Sequence, residues 1–399
     1  MTTENTHKVP NVPPLRFPEF SGEWEKCTLR DISEISKGSG ISKDQLSDKG
    51  EPCILYGELY TKYKSEVINY VYSRSNIDAT NLVRSKKNDI IIPASGETAI
   101  DISTARCVPF DGILLGGDLS IIRLKEQDGR YFSYQLNGIR KLDIAKIAQG
   151  VSVVHLYGEN LKRLKVAFPA IEEQRKIADF INLLDSRIAT QNKIIQHLES
   201  LITGITQSVR DNATKKVLLA DILTEKEEKN IGNHDVYSVS VLEGVINQIE
   251  YLGRSFAAKE TKNYSVVEYG DIVYTKSPTG SFPYGIVKQS YIKEKAAVSP
   301  LYGVYKPVSF EVGYYLHHYF TSPIYTTNYL HKLIQKGAKN TINITNQRFL
   351  ENYIPLPSPE VLEKYVALVS AVTTKLENEK QVINKLKEQK NYLLSKMFI

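Results

Sequence analysis

From Ile177 onward, nonpolar side chains recur at alternating spacings of four and three: Ile177, Ile181, Leu184, Ile188, then a polar Gln191, Ile195, Leu198, Ile202, Ile205 and Val209. That heptad pattern puts a single apolar stripe on one face of a long helix. Pro169 suits a helix start and not its interior, Glu172 and Glu173 match the positive end of the helix dipole, and the stripe stops just before Asp211-Asn212. The spacing predicts one helix of about ten turns.

The stripe returns 188 residues later as Tyr365, Val369, Val372, Leu376, Glu379, Ile383, Leu386, Lys390, Leu393 and Met397. Its approach is repeated as well, since Phe168-Pro169-Ala170-Ile171-Glu172 is similar to Leu356-Pro357-Ser358-Pro359-Glu360. Looser echoes lie upstream of each helix. Thr28-Leu29-Arg30-Asp31-Ile32 matches Leu218-Leu219-Ala220-Asp221-Ile222, Lys87-Asn88-Asp89-Ile90-Ile91 matches Tyr269-Gly270-Asp271-Ile272-Val273, and Gln149-Gly150-Val151-Ser152 faces Lys336-Gly337-Ala338-Lys339. So long a period excludes a solenoid and predicts a duplicated globule followed by a helix. Apolar runs such as Ile90-Ile91-Ile92-Pro93 and Ile113-Leu114-Leu115 predict buried strands, and 132–139 and 313–320 predict short helices, so each globule is read as mixed α/β.

Composition changes this picture only a little. A chain of 399 residues exceeds one ordinary core and predicts two or three domains, and 42% hydrophobic with 24% charged residues excludes wholesale disorder. Fifty-one Lys and Arg against 45 Asp and Glu leave +6, which admits a polyanionic partner without requiring one. Cys27, Cys53 and Cys107 show no C-x-x-C spacing, so neither a disulfide framework nor a zinc site is expected, and the cytoplasm is the expected location. No stretch approaches the roughly 18 apolar residues of a membrane span. Phosphate-loop, H-E-x-x-H and G-x-S-x-G patterns are absent, and His317-His318 would point different ways on a helix or a strand, so no catalytic or metal site is expected.

Two stretches carry a family resemblance: Leu15-Arg16-Phe17-Pro18-Glu19-Phe20-Ser21-Gly22-Glu23-Trp24, and Pro169-Ala170-Ile171-Glu172-Glu173-Gln174-Arg175-Lys176-Ile177-Ala178. Both resemble the specificity subunit of type I restriction–modification enzymes. The resemblance implies an N-terminal tail over 1–17, target-recognition domains over 18–168 and 211–356, and constant helices over 169–210 and 357–399. It also implies a double-stranded DNA target, two modification subunits that use S-adenosylmethionine, and restriction subunits that use ATP and magnesium, with no cofactor in this chain. The second helix lacks the Glu-Gln-Arg-Lys run at its start. Glu173, Arg175 and Lys176 become candidate contacts to the modification subunits.

The expected architecture is α+β: two mixed globules joined by two long helices in an antiparallel coiled coil, giving pseudo-two-fold symmetry. The helices can bury their stripes on each other, and an antiparallel arrangement places one globule at each end. Two unlike readers held apart by a ruler would recognise a bipartite, asymmetric target. Gln191 and Glu379 either fix the register as a buried polar layer or sit at the seam edge in water, and Lys390 is expected to snorkel.

Base reading needs polar and cationic groups on exposed loops. In the first globule these are Lys37, Ser39, Ser42 and Lys43 of a glycine-rich loop, Tyr60, Lys62, Tyr63 and Lys64 where aromatics alternate with lysines, Ser95 after a strand, and Gln149 and Ser152 before the helix. In the second they are Lys276, Ser277, Thr279, Tyr284, Lys336, Lys339 and Asn340. Fifteen of the 25 tyrosines fall between 211 and 356 and are read mainly as core rings with polar tips. The rival readings are a coiled-coil assembly scaffold that never touches DNA, and an enzyme with an unrecognised site.

Overall fold

The computed structural model describes residues 11–255, 257–336 and 342–399. The chain divides into two compact units, Met1–Asn192 with Gln381–Ile399, and Lys193–Lys380. The two long helices, Ile171–Asp211 and Pro359–Lys396, therefore each contribute to both units.

The first unit is built on a four-stranded antiparallel sheet in the spatial order Ser33–Lys37, Leu119–Leu124, Asp89–Pro93, Arg106–Val108. A second sheet runs Leu46–Ser47, Ser73–Ser75, Glu51–Ile54, Leu114–Leu115, its last pair parallel. The run Ile90-Ile91-Ile92 is fully buried because both faces of its strand are covered, one by each of two hydrophobic clusters. Glu25–Thr28 pairs with Lys165–Phe168, so the chain leaves the globule beside where it entered.

The second unit repeats this plan. Its central antiparallel sheet runs Leu223–Glu225, Gly303–Pro307, Ile272–Tyr274, Val287–Gln289. Its second sheet runs Gly244–Asn247, Val236–Ser240, Ala296–Val298, Ser265–Val267, again with one parallel pair, and Lys215–Leu218 closes on Tyr353–Leu356. Where this unit has the strand Ser265–Val267, the first has a single antiparallel bridge from Arg84 to Leu114. The duplication suggested by the loose upstream echoes is thus a duplication of strand order.

Inside each unit the two long helices run in opposite directions. In the first, Ile177, Ala178 and Ile181 of one helix share a core with Leu393, Leu394 and Met397 of the other. In the second, Ile202, Ile205 and Val209 pack against the core that holds Leu362, Tyr365 and Val369, and Thr206 and Tyr365 join their hydroxyls at 2.9 Å. Gln191 and Glu379 are 8% and 9% exposed, and the Glu379 carboxylate pairs with Lys375, whose own side chain stands in solvent. Lys390 corrects its expectation: its ammonium is enclosed, ion-paired to Asp185 at 2.5 Å and to Glu66. The loop that carries Glu66 covers the seam there, so the ammonium ends in ion pairs and not in bulk water.

Six of the 15 tyrosines between 211 and 356 are buried core rings, and the other nine are half-buried or exposed, so the expectation of mainly core rings holds only in part. Tyr274 stacks on Phe349 at 4.5 Å, and the hydroxyls of Tyr305, Tyr315 and Tyr329 each donate to a backbone carbonyl. The observed short helices are Gly129–Asn137 and Phe310–Tyr319. On the latter, His317 and His318 lie against the rings of Tyr291 and Tyr314, with Gln289 donating its backbone N–H to His317 Nδ1 at 3.0 Å. Burial, aided by nearby Lys288, pushes both imidazoles down, His318 to about 4.

Because the unfolded rings titrate near the ordinary 6.5, the unfolded chain takes up protons that the folded one refuses. Stability is therefore complete above pH 6.5 and falls as the pH drops toward 4, by roughly 1 kcal/mol per pH unit for each ring. Urea denaturation at pH 7 and pH 5 measures this, and His318→Gln is expected to flatten the slope. An unchanged slope would mean that the ring is charged in the folded state.

No described helix is long and apolar enough to cross a membrane. Among the described residues no cluster of three or more His, Cys, Asp or Glu is placed to hold a metal ion.

Candidate nucleic-acid interface

The N-terminal segment and the start of the first long helix are folded onto each other. Arg16 grips the Glu173 carboxylate with two hydrogen bonds of 2.7 Å, Lys176 pairs with Glu19, and Phe17 meets Phe180 edge-on at 5.7 Å. Glu173 is 1% exposed, so the expectation that it contacts a partner is corrected: it is consumed by Arg16. Arg175 remains exposed. Gln174 accepts from the Asp128 backbone and donates to the Pro169 carbonyl, tying the helix start to the globule. The two sequence stretches that carried the resemblance are therefore one structural joint.

The candidate contacts of the first unit fall into three places. Ser42, Lys43 and Lys62 border one recess of about 570 Å³, together with Tyr56 and Thr61. Lys62 is held there at 2.5 Å by Glu58, which also accepts from the Leu55 backbone and from Ser73. Lys43 is exposed, Lys37 is exposed on the edge strand Ser33–Lys37, and Ser39 accepts from the Val83 backbone at 2.7 Å, which fixes the loop between them.

The second place is a hairpin. Gln149 and His155 exchange backbone hydrogen bonds of 2.9 and 2.7 Å, and Val154–His155 pairs with Ser95–Gly96. Its tip needs Gly150 at φ +123°, where a Cβ would meet the Val153 carbonyl at 2.1 Å. Gln149 and Ser152 are exposed there, and Tyr60 brings its hydroxyl close to Gly96. Sequence reasoning missed Val151 at the tip, 96% exposed, and the stacked pair His155 and Tyr157. A nonpolar residue beside Gly in a short loop carries no signal that it faces solvent.

Two assignments in this unit are corrected by burial. Tyr63 is 4% exposed in the core with Ile54, Leu59 and Ile68, and Ser95 is 7% exposed inside the short strand. Lys64 belongs to a third place, away from the glycine-rich loop, beside the end of the second long helix.

In the second unit, Lys276, Ser277 and Thr279 follow the strand Ile272–Tyr274, the topological position that Ser95 holds after Asp89–Pro93. A tight turn with Thr279 bridged to Phe282 and Gly280 at φ +54° exposes Ser277 and Thr279. Lys276 is half-buried and its ammonium is pushed down by desolvation, with Glu225 opposing. Tyr284 is half-buried with its ring 6.1 Å from His331. Gln335–Lys336 pairs antiparallel with Ile342–Asn343, so the second unit also carries a short strand pair before its closing strand. Lys336 lies in that strand, and Lys339 and Asn340 lie outside the described residues.

Residues 21–200 match the family model of the type I restriction modification DNA specificity domain. A putative type I restriction enzyme specificity subunit of Haemophilus influenzae is 26% identical over 172 residues, 43% of this chain and 42% of that one. The putative MjaX specificity subunit of Methanocaldococcus jannaschii is 25% identical over 247 residues, 58% of this chain and 57% of that one. The matches span about half the length of these curated relatives. Among solved structures, a type I restriction–modification S subunit from M. genitalium shares the fold over 97% of this chain and 99% of its own, at 16% identity and a TM-score of 0.62. A chain from work on complex assembly and conformational transition of the type I system gives 0.54 at 13% identity, over 96% of this chain and 99% of that one. Over residues 21–200 the chain is thus similar to the type I restriction modification DNA specificity domain, and over nearly its whole length it has the fold of solved S subunits.

Proposed function

We propose that this chain is a DNA-reading subunit that recognises a bipartite, asymmetric duplex target and performs no chemistry itself. The observation that carries this reading is the repeated strand order, which presents loops at equivalent positions in two units whose loop residues differ. Ser42, Lys43, Tyr60, Gln149 and Ser152 would serve one half-site, and Ser277, Thr279, Tyr284 and Lys336 the other, with Lys339 and Asn340 added to the second set on sequence grounds alone. Unlike loops on like frames give unlike half-sites, with the paired helices setting the unread gap.

Methylation and cleavage would then come from partners: two modification subunits using S-adenosylmethionine, and restriction subunits using ATP and magnesium. The outward faces of the long helices, including Arg175, are the surface offered to the modification subunits. The test is binding of the full chain to duplex DNA across a salt series. A specific duplex is expected to bind at least 10³-fold more tightly than a scrambled one at physiological salt, with log K falling steeply with log salt. Equal affinity for both duplexes defeats the reading, and salt-insensitive behaviour without duplex binding would favour an assembly scaffold.

A further inference from the structure

In the first unit a cavity of about 230 Å³ opens where the C-terminal turns of the second long helix meet the globule. Its floor holds Arg106, Lys390 and Glu66, all nearly enclosed. Arg106 donates to the carbonyls of Leu59 and Tyr63, at 3.1 and 3.0 Å, and Lys390 pairs with Glu66 and Asp185. Two cations face two carboxylates, so the floor is neutral.

The rim is not. Lys64, Lys141 and Lys387 border the same cavity, and among the described residues none of the three is in an ion pair. They come from three separate stretches: the loop after the helix Glu58–Thr61, the first turn of the helix Lys141–Ile147, and the second long helix. Lys64 is steadied by donating to the Thr61 carbonyl at 2.9 Å. A purely structural ion network would balance its charge, whereas three ammonium groups around one polar recess leave a field that an anion relieves. Arg106 beneath them is committed through Nε and Nη2 to the Leu59 and Tyr63 carbonyls and closes the floor, so an anion would be met by the three lysines.

We propose that this recess binds a phosphate group, supplied by the backbone of the DNA that the chain reads. The inference rests on the DNA-reading function proposed above and adds a contact that carries no sequence information. It also explains why Lys64, in a stretch where aromatics alternate with lysines, lies apart from the loop of Ser42 and Lys43.

The test combines Lys64→Gln, Lys141→Gln and Lys387→Gln in the full chain, with a melting curve to verify folding. Binding to the preferred and to a scrambled duplex is expected to weaken by the same factor, tenfold or more, and the salt slope to fall by about 1 per lysine. In parallel, inorganic phosphate is added against chloride at matched ionic strength and the shift in melting temperature is read. A phosphate-specific shift that the triple variant loses, with DNA binding unchanged, assigns the recess to free phosphate and overturns the DNA source. Unchanged affinity, slope and phosphate response overturn the site altogether, and so does a loss confined to the preferred duplex, because that would mark base readers. If the unaltered chain binds neither duplex, the proposed function fails, and the phosphate response still decides whether the recess is an anion site.

Discussion

Lys390→Ala is expected to destabilise the first unit by about 3–5 kcal/mol, the penalty of stripping a buried ion network of the cation that pairs with both of its carboxylates. The Lys390 side chain is 12% exposed, and its two carboxylate partners, Glu66 and Asp185, are 10% and 6% exposed. Asp185 also accepts from the Tyr134 hydroxyl at 2.8 Å and from Ser65 at 3.2 Å. These bonds join four elements: the loop of Glu66, the helix of Tyr134, and both long helices. Without the ammonium two like charges face each other in a nearly enclosed site. Either they repel the C-terminal turns away, or one takes up a proton at a free-energy cost. The melting temperature should fall by on the order of 10 °C. Lys390→Met with Glu66→Gln and Asp185→Asn should recover most of the loss, since a neutral packed set replaces the ion network. A single variant within about 1 kcal/mol of the parent would show that the network contributes little.

Lys390 also marks where helical periodicity stops being informative. The heptad stripe names the helix face on which residue 390 lies, and Ile383, Leu386 and Leu393 on that face are buried as the stripe requires. What covers the face is decided by Glu66, more than 300 positions upstream in the chain. The reading of Glu173 as a partner contact failed for the same reason, because Arg16 and Glu173 are 157 residues apart and no local pattern announces a bidentate pair at that separation.

The strand order shows the reverse. Short echoes such as Lys87–Ile91 and Tyr269–Val273 survive because each enters a fully buried central strand, where hydrophobic side chains are required on both faces. The loops between strands carry no such constraint. That is why Tyr63 could be taken for a contact residue, although it packs on Leu59 and Ile68, and why Val151 went unnoticed. Alternation of aromatics and lysines looks the same whether the rings face the core or the solvent.

If the chain reads DNA as proposed, exchanging residues 211–356 for the recognition segment of a type I specificity subunit is expected to alter one half of the target and leave the other intact. Each unit owns two four-stranded sheets and a closing strand pair, and the hydrophobic clusters of the two do not mix. The graft has one requirement. Tyr314 and Tyr315 lie 6.2 and 5.8 Å from Tyr365 of the second long helix, and Phe349 stacks on Tyr274 in the same core, so the donor must supply aromatic residues at those places. A donor without them should unfold the second unit rather than retarget it. With them, the preference for the original bases at the exchanged half should fall by 10³-fold or more, while the other half keeps its preference within about tenfold.

The most direct measurement is selection of bound duplexes from a randomised library by the parent chain and by this chimera, side by side. The account predicts two short, different sequence blocks at a fixed gap for the parent, and for the chimera one block conserved, one replaced and the gap unchanged. A single continuous block, or a chimera in which both blocks change together, would contradict it.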